Sequence, residues 1–107
     1  MISKEFILSQ RSSAPQPFEC EEWGGTVFIK RLTALEFTAW QTKVKGQEGQ
    51  NIAASLVAES VVDETGRRVF EDSDIPALME QPNAVLTRVY FACERLNIVA
   101  KEDARKN

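Results

Sequence analysis

V-V-D-E-T-G-R-R-V-F-E-D-S-D-I, Val61 to Ile75, decides the fold. Val61-Val62 is a short strand-forming run that leads into a turn at Asp63-Glu64-Thr65-Gly66, where glycine supplies a left-handed residue. Arg67-Arg68-Val69-Phe70 returns as the second arm of a hairpin. A helix start follows at once, with Asp72 or Ser73 as its cap. Pro76 fits the first turn of that helix, where no hydrogen-bonded donor is lost, and Pro82 ends it. The order is helix, tight hairpin, helix, with almost no slack between them.

The elements on either side follow from periodicity. Asn51 is placed to cap a helix from Ile52 to about Ser60 that is apolar nearly all round, with Glu59 its only charge. A helix of that kind belongs at the centre of a core. Before it, Thr33-Ala34-Leu35-Glu36 reads as a capping box, opening a helix that runs to about Lys45. Phe37, Trp40 and Val44 share its apolar stripe, and Gly46 suits its C-terminal cap. Phe18 to Leu32 reads as a hairpin turning at Gly24-Gly25, with Phe18, Cys20 and Glu22 on one side and Glu19, Glu21 and Trp23 on the other. Its three acids could pair with Lys30 and Arg31 on the returning strand. After Pro82, Asn83 is placed to cap a helix from Ala84 to about Asn97, with Val85, Val89, Ala92, Cys93 and Leu96 as its buried stripe. Phe91 falls on the other side, between Arg88 and Arg95.

The expected fold class is therefore α+β: a small N-terminal β-hairpin and a second short hairpin, packed with a bundle of about four helices. Residues 1–17 are expected to form a flexible N-terminal arm, in which Ser3 to Gln10 could make one or two helical turns ahead of a Ser- and Pro-containing linker. Residues 18–100 form the single domain, and residues 101–107 a charged tail.

Bulk properties bound the function. A chain of 107 residues suits one domain. Folding at that size buries roughly two thirds of the unfolded surface, enough for a core without metal or disulfide. A net charge of −3 argues against a nucleic-acid binder, which needs a basic face. No apolar stretch reaches the roughly 18 residues of a membrane helix, and the first residues do not read as a secretory signal. The two cysteines, Cys20 and Cys93, lie far apart and read as reduced thiols of a cytoplasmic protein.

Residues that carry chemistry are few. The absence of histidine removes the commonest general base and metal ligand. Neither catalytic, cofactor-binding nor metal-ligating residues are expected. Asp72-x-Asp74 lacks the further oxygen ligands of a calcium loop and reads as helix-cap chemistry. Asp63-Glu64 lies in an exposed turn, where nothing would split the two pKa values for acid–base work. Arg67-Arg68 reads as a solvated strand end that pairs partly with Asp63 or Glu64. Trp23, beside the glycine turn, either packs back on the sheet or anchors an interface. Phe91 is either covered by the short helix or the N-terminal arm, or marks a partner surface.

Two stretches, E-E-W-G-G-T-V-F-I-K-R-L-T-A-L-E-F and V-V-D-E-T-G-R-R-V-F-E-D-S-D-I-P-A-L, resemble the tail assembly chaperones of long-tailed bacteriophages. The likeness lies in an aromatic-Gly-Gly hairpin, a strand exit into a capped helix, an aliphatic helix, a second hairpin and a D-x-D-I helix start. A last helix ending in Arg95-Leu96-Asn97 and a tail ending in Lys106-Asn107 complete it, over roughly residues 19 to 107. The resemblance implies a non-enzymatic role: binding the tape measure protein, keeping its apolar helices soluble, and recruiting major tail tube subunits in the host bacterial cytoplasm. It implies absence from the mature virion. Further partners it allows are a frameshift-extended form of the same chain, whose slippery codons would encode Lys106-Asn107, and a homo-oligomer; neither nucleic acid nor membrane is implied. The alternative is a small tail adaptor or completion protein that remains in the virion. The family brings no fixed binding residues, so the candidates rest on physical grounds: Trp23, Phe28, Phe91, and the apolar arm residues Phe6, Ile7 and Leu8.

Overall fold

The computed structural model describes residues 2–10 and 14–98. The tail expected at 101–107, and residues 11–13 of the expected arm, lie outside the described residues. An N-terminal helix α1, Lys4–Ser9, precedes β1 at Gln16–Cys20 and β2 at Gly25–Ile29. Helices α2 (Ala34–Lys43) and α3 (Gln50–Ser60) lead into β3 (Val61–Val62). A 3-10 turn at Asp72–Asp74 runs straight into α4 (Ile75–Met79), and α5 (Asn83–Asn97) follows. The α+β class expected from the sequence is the one observed.

The central hairpin forms, but in miniature. The carboxylate of Asp63 accepts from the Thr65 amide at 2.8 Å, the Thr65 hydroxyl at 2.6 Å and the Arg67 amide at 3.0 Å. Those donors hold its carboxyl below the ordinary carboxylate range, the Thr65 hydroxyl most of all. Gly66 adopts φ +90°, which only glycine takes without strain. The return arm bridges back through Val62 and Arg68, and the Val69 amide donates to the Val61 carbonyl at 3.2 Å.

β3 also pairs antiparallel with β2, through Phe28 with Val62 and Ile29 with Val61. The two hairpins thus merge into one three-stranded sheet of order β1-β2-β3. Registered partners share a face, so Cys20, Phe18, Val27, Ile29 and Val61 look toward the helices. Phe28, Val62 and Pro17 take the opposite face.

The core sits between that sheet face and the helices. Helix α3 is its axis: Ala54, Leu56, Val57 and Ala58 are fully buried, as the lack of a polar stripe requires. Val85, Leu86, Val89, Ala92 and Cys93 of α5, Trp40 and Val44 near the end of α2, and Leu78 of α4 close around it. The Trp40 indole donates to the Ser55 hydroxyl at 3.1 Å, so both buried polar groups are satisfied. Asn97 ties α5 to the sheet exit. Its side-chain amide donates to the carbonyls of Lys30 (3.0 Å) and Cys93 (3.2 Å), and its oxygen accepts from the Leu32 amide at 2.7 Å.

Several local expectations are corrected. The first hairpin does not turn on a Gly-Gly pair: Glu21–Trp23 forms a 3-10 turn, Gly24 takes φ +87°, and Gly25 already pairs with Cys20 in β2. Strand alternation therefore stops at Cys20, and Trp23 is released from the outer face. β1 begins at Gln16, inside the stretch read as the arm. Helix α3 is capped by Gly49 at φ +67°, while Asn51 bonds Gln47 instead. Asn83 lies in the first turn of α5 and accepts from Gln50, leaving Pro82 at the cap position. Neither Asp72 nor Ser73 caps the short helix: Asp74 holds its N-cap position without a side-chain cap bond, and its carboxylate accepts from the Glu71 amide at 2.8 Å to close a capping box around the preceding 3-10 turn. The hairpin charges also pair elsewhere: Lys30 with Glu36 at 2.6 Å, and Glu22 with Arg88 of α5.

Candidate protein-interaction surfaces

Trp23, freed by the 3-10 turn, folds back on the second hairpin. Its ring meets Phe70 edge to face, with centroids 5.7 Å apart and planes at 68°. Its indole N–H donates to the Gln81 side chain at 3.1 Å, just past the end of α4. The outcome combines the two alternatives open in the sequence, because Trp23 packs inward yet stays half-buried. With Val27, Val69, Phe70, Leu78 and Gln81 it lines an open cleft of about 370 Å³. A second hollow of about 220 Å³ continues past Phe70, Leu78 and Gln81 to Asp74 and Ala77.

Phe91 occupies a different place. It is 52% exposed. It borders a groove of about 450 Å³ between the start of α3 and the outer side of α5, with Ile52, Ala53 and Tyr90. Tyr90 stacks at a tilt on Phe91, centroids 5.9 Å apart, and donates its hydroxyl to Glu94 at 2.9 Å. Burial, helped by that neighbouring carboxylate, pushes the Tyr90 phenol up to about 12. Its hydroxyl is thus a neutral donor at the groove wall.

The arm residues Phe6, Ile7 and Leu8 lie on α1, exposed by 60%, 55% and 69%. Ser3 caps this helix, its hydroxyl accepting from the Phe6 amide at 3.1 Å. Consecutive residues on a helix diverge by about 100° each, so these three splay around the helix and do not form one stripe. No residue of α1 is buried. Phe28 behaves otherwise: it is half-buried in the central strand, between Pro17 and Val62 on the sheet face away from the core. The candidates therefore form separate surfaces: Trp23 in the cleft, Phe91 in the groove, the arm, and Phe28 on the sheet. Sequence reasoning missed Val69, which lines the cleft and is 48% exposed, and Met79, which is 42% exposed.

The charged residues have structural roles. Asp72 receives Lys43 at 3.0 Å and Arg68 at 3.0 Å, and Arg68 also donates to the Ala58 carbonyl. Those two cations hold the Asp72 carboxyl below its usual range, Lys43 first. The expected pairing of Arg67-Arg68 with Asp63 or Glu64 does not form. Both cysteines are buried and free, and burial pushes the Cys93 thiol up to about 12. Among the described residues no group of three or more Cys, Asp or Glu side chains is arranged to hold a metal ion. No helix among them is long and apolar enough to cross a membrane.

No known family model matches the chain. No curated protein matches it in sequence. Among solved structures, the tail assembly chaperone of bacteriophage HK97 superposes with a TM-score of 0.62 at 17% identity, covering 91% of this chain and 95% of that one. The chain has the fold of that chaperone over nearly the full length of both.

Proposed function

We propose that this chain is a non-enzymatic tail assembly chaperone of a long-tailed phage or prophage. It binds the tape measure protein, holds that protein's apolar helices in solution, and recruits major tail tube subunits in the bacterial cytoplasm. It leaves before the virion is complete. The observation that carries this reading is the fold shared with the HK97 tail assembly chaperone along almost the whole chain. The surface supports it. A protein that holds apolar helices must offer uncovered apolar area while staying soluble itself. Here Val69, Phe91 and the α1 residues are exposed and Trp23 is half-buried, on a body of net charge −3 that repels its own copies.

The test is co-expression with the tape measure protein encoded in the same genome. Soluble tape measure protein, recovered in complex with this chain, is the expected result. Equal insolubility with and without the chain refutes the reading. Purified tails give a second check: a chaperone is absent from them, whereas an adaptor or completion protein remains.

A further inference from the structure

The cleft beneath Trp23 has a net acidic rim. Asp74 lines the hollow that adjoins it. Glu71 is exposed next to Phe70 in sequence, and Glu80 next to Gln81. None of these three forms an ion pair with another described residue. Two cations of the neighbouring elements are already engaged: Arg88 with Glu22, and Arg68 with Asp72. Arg67, exposed near Val69, leaves the rim net negative. The floor is apolar and long, because its two hollows share Phe70, Leu78 and Gln81 and so join into a trough.

We propose that this trough docks an amphipathic helix of a partner protein, with apolar anchors at i, i+3 or i+4 and Lys or Arg on its flanks. The assignment rests on the chaperone reading and names the surface it uses. A trough accepts a row of side chains from one helical stripe, where a round pocket accepts a single anchor. The unpaired acids then choose the partner's charge and speed its approach. A second copy of this chain does not meet the requirement. Its exposed helix α1 carries Lys4 and Glu5, which cancel, and each copy brings a net charge of −3. The groove at Phe91 has no acid in its lining, whose polar side chains are Gln50, Thr87 and Tyr90, whereas Asp74 lines the trough itself.

The experiment titrates the isotope-labelled full chain with a synthetic peptide of about 20 residues, long enough to form a helix in water. One peptide carries leucines at helical spacing and Lys/Arg flanks; its control carries Glu flanks. The expected result is a shift of the Trp23 indole resonance with the basic peptide, while buried Trp40 stays in place. Glu71→Lys with Glu80→Lys should weaken binding roughly tenfold, as should raised salt. Val69→Asp should abolish it. Equal binding of the acidic control overturns the proposal, as do shifts at Tyr90 and Phe91 with Trp23 unmoved. Self-association of the chain that the same variants disrupt also overturns it, in favour of a second copy. Co-expression separates the two levels: a wild-type chain that leaves the tape measure protein insoluble refutes the chaperone reading. Full rescue by the double-lysine variant refutes only the trough.

Discussion

Asn97→Ala is expected to destabilise the domain by about 2 kcal/mol. The amide of Asn97 serves three backbone groups at once: the Lys30 carbonyl, the Cys93 carbonyl and the Leu32 amide. Each such bond contributes a net of about 0.5–1.5 kcal/mol, so their sum spans about 1.5–4.5 kcal/mol. The site is only half-buried. Water can therefore reach part of what is left unpaired, which moves the expectation toward the lower half of that span. For a domain of this size about 2 kcal/mol lowers Tm by roughly 8–16 °C.

Asn97→Asp separates hydrogen bonding from packing, because the two side chains are nearly the same shape. The carboxylate keeps the acceptor for Leu32 but turns an oxygen toward two carbonyls, so at neutral pH this variant should be at least as unstable as N97A. Those carbonyls raise the pKa of the new carboxyl in the folded state above its unfolded value. A raised carboxyl pKa means that the folded state holds the proton more tightly. The loss should therefore be full above the folded pKa and shrink as pH falls through it. Urea denaturation followed by tryptophan fluorescence, at neutral pH and near pH 4, measures both effects. Wild-type stability of N97D at neutral pH would show that the two carbonyl contacts contribute nothing, and would refute the staple.

The other expectations concern burial, backbone and pH. Ser60 places a hydroxyl in the core with no hydrogen-bond partner among the described residues and only the Cys93 thiol facing it, so Ser60→Ala should raise stability by about 1 kcal/mol in urea denaturation. Gly66→Ala forces a side chain to φ +90° and should cost about 1 kcal/mol, read as a lower urea midpoint with unchanged m-value. Cys93 and Tyr90 both have folded pKa values raised to about 12, so their stabilising contribution is present at neutral pH. It is lost as pH rises from their unfolded values, 9.0 and 10.0, toward 12, and circular dichroism should show unfolding in that window. At the acid end, Glu22, Glu36, Asp63 and Asp72 have lowered pKa values, so their contribution is present above pH 4.5 and fades as pH falls below their unfolded values of 3.8 to 4.5.

Most of the fold is legible in local chemistry. The Thr33–Glu36 capping box forms as written, with the Thr33 amide 2.8 Å from Glu36 and the Glu36 amide 3.1 Å from Thr33. The apolar girth of Ile52 to Ser60 correctly marks the central helix. The second hairpin is equally plain in Asp63 and Gly66, whose roles involve neighbours within four residues. What local chemistry does not reveal is the pairing of β2 with β3, because Phe28 and Val62 are far apart in sequence and neither carries a signal for the other. Caps fail for a related reason. Asn51 and Asn83 are good cap residues, but each side chain finds a partner elsewhere, in Gln47 and Gln50. Asp72 looks like a cap until Lys43 arrives from α2.

The interaction surface is the least legible part, because exposure depends on what fails to arrive. Val69 reads as a core strand residue by type, as does Met79 at the end of an apolar helix turn. Both stay exposed for identifiable reasons. The return arm of the second hairpin makes one bridge, at Arg68, and no further strand continues beside it to cover Val69. Helix α4 is five residues long, too short to bring a second apolar turn over Met79. The same brevity leaves the Trp23–Phe70 pair open on one side, where a longer hairpin or helix would have sealed it into the core. Two shortened elements thus leave Val69 and the Trp23–Phe70 pair lining an uncovered trough, and the acids in and around α4 give it a sign. Lengthening α4 by one apolar turn should then raise stability and close the trough to the basic peptide, whereas unchanged peptide binding in that variant would place the docking surface elsewhere.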